Sequence, residues 1–117
     1  MDAPNLNNAP LVYVAGPLTV GLQMPNIRKA VGCGDEIAAM GCGVFIPHLN
    51  SLWDFAIEHD YEYWMFQDMV VLLKCDALFR MPGESAGADR EVKMAMERGI
   101  PVFYDLEKLK DWVALSG

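Results

Sequence analysis

The chain has 117 residues, 53% of them hydrophobic, which suits one domain with a buried core and is too short for two. Nine Lys and Arg against sixteen Asp and Glu give a net charge of -7, so the basic surface needed to neutralise a nucleic-acid polymer is missing. The three cysteines, Cys33, Cys42 and Cys75, form no CxxC pair and fit reduced thiols in a cytoplasmic protein.

Residues 1–10 form a polar, proline-bearing lead-in, expected to be flexible, without the basic and apolar regions of a secretory signal. Residues 11–117 are expected to form a single α/β domain. LVYVAG, from Leu11 to Gly16, is a run of β-formers stopped by Gly-Pro and suits a strand buried on both faces. Asn26 to Met40 has helical apolar spacing weakened by Gly32 and Gly34; Gly41 is its left-handed cap, and Val44 to Ile46 is a second strand ended by Pro47.

His48 to Asp60 has no clear period and reads as a loop, with room for a short helix, long enough to lie over a site. From Tyr61 to Lys74 the pattern is helical and apolar on adjoining stripes, including Met65, Met69 and Leu72 and also Phe66, Val70 and Leu73. Such a helix is expected to be mostly buried. Ala77 to Arg80 is a third strand, Pro82-Gly83 a turn, and Ala86 to Arg98 a helix capped by Gly99. Val102 to Tyr104 and Asp105 to Leu115 complete the alternation as strand and amphipathic helix. No apolar run approaches the roughly 18 residues of a membrane span.

Four strand-helix pairs argue for a parallel sheet of four or five strands in a small flavodoxin-like or Rossmann-like three-layer domain. With strand order 2-1-3-4, the ligand-binding crevice lies where Gly16 to Thr19, including Pro17, meets Pro82 to Gly87. Gly16, Gly83 and Gly87 permit close approach of backbone to a ligand. Ser85 fits two compatible roles, the N-cap of its helix and a hydroxyl beside free amides suited to an anion such as phosphate.

Glu91 lies six residues after Ser85, about 9 Å along a helix axis, which separates a carboxylate from an anion site by roughly a sugar phosphate. An ordinary solvated acid near a helix start has the same spacing. Asp68 interrupts the apolar run WMFQDMVVLL; it is either a buried carboxylate needing partners or a residue on the solvent edge beside Glu62 and Gln67. Tyr13 lies on the first strand, where packing is the default but its hydroxyl can reach the crevice. His48 follows the second strand at the crevice edge, and His59 lies further along the loop; neither has the ligand-spaced carboxylates or thiols of a metal site. P-loop and GxGxxG motifs are missing, and no cofactor is expected.

VYVAGPL, QDMVVLLKCDALF and GESAGADREVKMAMERGIPVF together resemble the nucleoside 2-deoxyribosyltransferase superfamily, including its nucleoside 5'-monophosphate N-glycosidase branch. The resemblance runs from Leu11 to Phe103 and implies that Tyr13, Asp68 and Glu91 form the catalytic set, with Asp76 eight residues after Asp68. It implies that Glu91 attacks the anomeric carbon C1' to give a glycosyl ester, resolved by water or by a second base. Serine at position 85, where the nucleoside transferases tend to have aspartate, implies a 5'-monophosphate substrate held by Ser85, Gly87 and the Gly16 loop. Trp53 or Phe55 is then expected to stack on the base, with Asp68 orienting the sugar or handling the base's proton.

Two features depart from this pattern. GPLTVGLQMPN lacks the arginine often found there in the hydrolases, which leaves Arg28 or Arg90 to supply a side-chain cation. Val92-Lys93 follows the glutamate where Leu-Gly is common. The resemblance also implies a homodimer or larger homo-oligomer in which a neighbour completes each site; Trp64 and Trp112 suit either such an interface or the core.

Overall fold

The structure, a computed structural model, describes residues 6–19 and 21–116. The first half of the expected flexible lead-in, residues 1–5, lies outside the described residues. Four strands alternate with helices: β1 (Leu11–Ala15), α1 (Gln23–Ala38), β2 (Gly43–Phe45), α2 (Asn50–Ala56), α3 (Tyr61–Leu72), β3 (Ala77–Arg80), α4 (Ala86–Glu97), β4 (Val102–Phe103) and α5 (Leu106–Ser116). A single 3-10 turn, Pro47–Leu49, leads into α2.

The strands form one parallel sheet in the order β2-β1-β3-β4. Register places Tyr13 beside Phe45 on one side and Leu78 on the other, and Ala15 beside Arg80. Alternation along β1 then divides the chain between two faces. Val12 and Val14 enter a core with Ala30, Ile37, Leu109 and Val113 from α1 and α5, while Tyr13 and Ala15 enter a second core with Leu72, Ala88 and Ala95 from α3 and α4. This is the expected three-layer flavodoxin-like or Rossmann-like arrangement, with four strands.

Local departures have physical causes. Helix α1 starts three residues before Asn26, because Pro25 falls within its first turn, where no intrahelical amide is needed. Gly34 brings α1 close to the second strand's exit: a Cβ there would meet the end of the Ile46 side chain, Cδ1, at 2.5 Å. Gly41 and Gly99 take the positive φ expected of caps. The 48–60 segment contains the short helix it had room for, α2, behind the Pro47–Leu49 turn, and residues 57–60 lie outside any helix.

Helix α3 is not mostly buried. Met65, Asp68 and Leu72 face inward, whereas Phe66, Val70 and Leu73 are exposed. The apolar composition of this helix therefore does not mark every face as core. Trp112 packs against Phe103 at 5.6 Å, beside the α1 and α5 core.

Candidate functional site

Two helices on the same face of the sheet each carry a carboxylate in the middle of an inward stripe. On α3 the stripe is Met65, Asp68 and Leu72; on α4 it is Ala88, Glu91 and Ala95. Spacings of three and four residues put each set on one helical face. Small alanines on either side of Glu91 let α4 approach the sheet, where Tyr13 projects from β1.

Tyr13 Oη donates a hydrogen bond to Glu91 Oε2 in the buried interior. Asn50 Nδ2, at the start of α2, donates to Asp68 Oδ1 at 3.0 Å. Tyr13 is fully buried, and Glu91 and Asp68 are 5% and 9% exposed. The solvent-edge alternative for Asp68 is thereby overturned: the inward stripe of α3 takes it under the sheet.

Burial is the main influence on this group. It pushes Glu91 up to about 8, opposed by the Tyr13 hydrogen bond, reinforced by the Asp68 charge, and opposed again by Arg80 and Arg90. Burial likewise pushes Asp68 up to about 7, with the Asn50 hydrogen bond opposing. Tyr13 is held well above its usual value by burial and by both carboxylates, so it remains a donor. Paired acids kept from full ionisation in a cleft are suited to proton transfer and nucleophilic chemistry near neutral pH.

Asn50, Asp68 and Glu91 line a cleft of about 540 Å³, with Tyr13 buried behind Glu91. Gly16, Leu18 and Thr19 from the loop after β1 line one wall, and Ser85, Ala86, Gly87 and Glu91 line the facing wall. The two loops meet as the topology requires: a Cβ on Gly83, which has φ +113°, would meet Pro17 Cγ at 2.7 Å. Ser85 caps α4, its Oγ accepting from Ala88 N at 3.1 Å. The first-turn amides of Ala86 and Gly87 have no carbonyl partner within the helix, which leaves donors at the cleft wall.

His48 is buried, and its Nε2 lies 3.1 Å from the Pro17 carbonyl. A carbonyl only accepts, so Nε2 carries the hydrogen. Burial lowers its pKa despite backbone bonds to Pro17 and Gly16, and the neutral ring braces the loop. Asp76 is outside the cleft: its Oδ2 accepts from Leu11 N at 2.8 Å and fastens the start of β1.

The expected aromatic stack is corrected. Phe55 is 89% exposed, and neither it nor Trp53 lines the cleft. Trp53 instead packs edge-on against Trp64, with centroids 4.9 Å apart, in a cluster with His59 and Tyr63. Tyr61, Trp64, His59 and His48 are the ring-bearing residues that line the cleft. Asp54 ties this wall together, accepting from His59 N at 2.9 Å and Trp64 Nε1 at 2.7 Å. A helical 50–56 segment turns Phe55 outward, an orientation that an aperiodic loop reading does not convey.

Neither expected arginine lines the cleft. Arg90 pairs with Glu62 at 3.0 and 3.2 Å and lies over the Tyr61 ring, while Arg28 is exposed on α1. Among the described lining residues there is no Lys or Arg, and three are acids: Asp54, Asp68 and Glu91. No group of three or more His, Cys, Asp or Glu among the described residues could hold a metal ion. No helix of the described residues is long and apolar enough to cross a membrane.

Asn50, Tyr61 and Arg80 escape the sequence reading. Arg80 had a signal, as a charged residue ending a strand whose four residues are all buried, the same anomaly that marks Asp68.

Fold and cleft define a small parallel α/β domain with an inward tyrosine and two buried carboxylates at the carboxyl edge of its sheet. Residues 10–104 match a family described as Domain of unknown function (DUF4406), and the chain belongs to it. Comparison with curated proteins gives no match. Among solved structures, the chain is similar to a 2-deoxyribosyltransferase from the psychrotolerant bacterium Bacillus psychrosaccharolyticus. The TM-score is 0.59 and the identity 22%, covering 79% of this chain and 69% of that one. The two share a fold.

Proposed function

We propose that this protein cleaves the N-glycosidic bond of a nucleoside 5'-monophosphate, releasing a free base and a sugar 5-phosphate. The observation that carries this reading is the contact of buried Tyr13 with Glu91, a carboxylate on the wall of a cleft that Asp68 and the first turn of α4 also line. The resemblance to the nucleoside 2-deoxyribosyltransferase superfamily supports cleavage of an N-glycosidic bond, and the solved enzyme that shares the fold is itself a transferase.

In the first step ionised Glu91 attacks C1' while the bond from C1' to the base nitrogen breaks, and protonated Asp68 gives its proton to the leaving base. In the second, Asp68 takes a proton from water as the water attacks C1' and frees Glu91. Two displacements retain the anomeric configuration. Tyr13 steadies the attacking carboxylate. Ser85 and the Ala86 and Gly87 amides bind the phosphate, with Gly16 and Pro17 opposite and His48 behind them. Tyr61 and Trp64 pack against the base.

A second reading, base exchange between deoxynucleosides, uses the same step to form the ester and a base instead of water to resolve it. The cleft's three acids, with no lining Lys or Arg among the described residues, favour this uncharged substrate. A panel of nucleosides and their 5'-monophosphates, each with and without a second free base, separates the two. Free base and sugar phosphate support hydrolysis, a new nucleoside supports exchange, and binding without turnover supports a nucleotide-binding module.

We take residues 11–117 as one domain, working in the cytoplasm as a homodimer or larger homo-oligomer. Exposed Phe66 and Val70 on α3, with Leu73 at its C-cap, support self-association through that face.

A further inference from the structure

Arg80 ends β3 with its side chain only 10% exposed. Its guanidinium donates to three acceptors: the Met81 carbonyl, the Gly83 carbonyl at 2.9 Å and Asp89 Oδ1 at 3.0 Å. The first two acceptors lie in the loop from β3 to α4, and the third lies in the opening turns of α4. Asp89 itself is 74% exposed, so the charge taken from water is the arginine's.

An exposed ion pair alone contributes little to stability, about 0–1 kcal/mol. A planar fork joining two carbonyls and a carboxylate does something different, because it fixes the direction of the peptides it holds. With the loop carbonyls turned toward Arg80, the loop's path into Ser85 is set from behind. Glu91 follows Asp89 by two residues on the same helix.

We propose that Arg80 is a positioning residue of this site, clamping the β3 to α4 loop to α4 so that Ser85 and Glu91 keep their places at the cleft wall. The proposal rests on the reading of Glu91 as the nucleophile. It also gives the cleft a cation that does not line it. The charged and titratable groups acting on Glu91 are Tyr13 from β1, Asp68 from α3, Arg80 from β3 and Arg90 from α4. Arg90 is exposed and held by Glu62, which leaves Arg80 as the buried positive charge favouring ionised Glu91.

The test is the titration of the Glu91 carboxyl by carbon NMR in the full chain, with Arg80→Gln and Arg80→Lys compared with wild type. Arg80→Gln should raise the Glu91 midpoint by about half a pH unit, a ~3-fold change in its ionisation constant. Arg80→Lys should leave that midpoint nearly unchanged while displacing the amide resonances of Gly83 to Gly87, because it keeps the charge and loses the fork. Equal midpoints in Arg80→Gln and wild type overturn the proposal, as does an Arg80→Lys spectrum unchanged over Gly83 to Gly87. If Arg80→Gln does not fold, Arg80→Lys decides by its amide shifts. Both readings are independent of turnover, so an inactive wild-type protein counts against the nucleophile reading and leaves the titration to judge Arg80.

Discussion

Tyr13 and Glu91 are 78 residues apart in sequence, yet the phenol donates directly to the carboxylate in the buried space between sheet and helix. The contact joins β1 to α4 across the point where strand order reverses, and every other group in the proposed mechanism is arranged about it.

Tyr13→Phe removes the one hydrogen bond that lowers the Glu91 pKa against burial. The carboxyl is then expected to titrate higher than in wild type. At pH 7, kcat/KM should fall about 10- to 100-fold, since one donor to a reacting carboxylate is lost and the core volume is nearly kept. Steady-state kinetics with the monophosphate identified by product analysis check this.

Glu91 titrates near 8 and Asp68 near 7, and the proposed chemistry needs one proton on the pair. The pH profile of kcat/KM should therefore be bell-shaped, with its maximum between those values. Its rising limb is loss of the first proton and its falling limb loss of the last. Asp68→Asn should remove the falling limb, leave as rising limb the titration of Glu91 alone, at or above the wild-type position because Asp68 no longer shares the first proton lost, and lower the maximum about 10²-fold.

The same buried carboxyl affects folding. Below pH ~4.3 Glu91 is protonated in folded and unfolded chains alike. As pH rises toward about 8 the unfolded carboxyl ionises while the folded one keeps its proton, so stability falls across this window and levels off above it. Glu91→Gln removes that loss. Denaturant unfolding should show the variant gaining ~1 kcal/mol or more on wild type between pH 5 and pH 9.

Aromatic substitutions distinguish the observed wall from the one expected from sequence. Phe55→Ala should leave KM within about two-fold, because the ring faces solvent, whereas Tyr61→Ala or Trp64→Ala should raise KM about 10-fold or more through lost stacking area. Gly83→Ala should reduce stability by ~1–3 kcal/mol, given its positive φ and the Pro17 ring in the way.

Much of this architecture is readable from local pattern. Strand order and the meeting of the two loops follow from alternating strands and helices, each short and well punctuated, as at Gly41, Pro47 and Gly99. Asp68 stands out because a lone carboxylate in an apolar run must be accommodated somewhere. Asn50 could not be found that way: its contact with Asp68 depends on how α2 packs, and polar residues in a short helix have no distinctive spacing. Phe66, Val70 and Leu73 mislead for a related reason, since periodicity registers apolar faces without indicating what covers them. The outward turn of Phe55 depends on the phase of a seven-residue helix, too short for a pattern to fix.

The most direct test of the central claim is a rapid-quench digest of the protein mixed with the monophosphate that it cleaves, analysed by peptide mass spectrometry. The account predicts a transient sugar-phosphate adduct on the peptide carrying Glu91, with no adduct and at least ~10³-fold slower base release in Glu91→Gln. Base release at the wild-type rate by both Glu91→Gln and Glu91→Ala would contradict it.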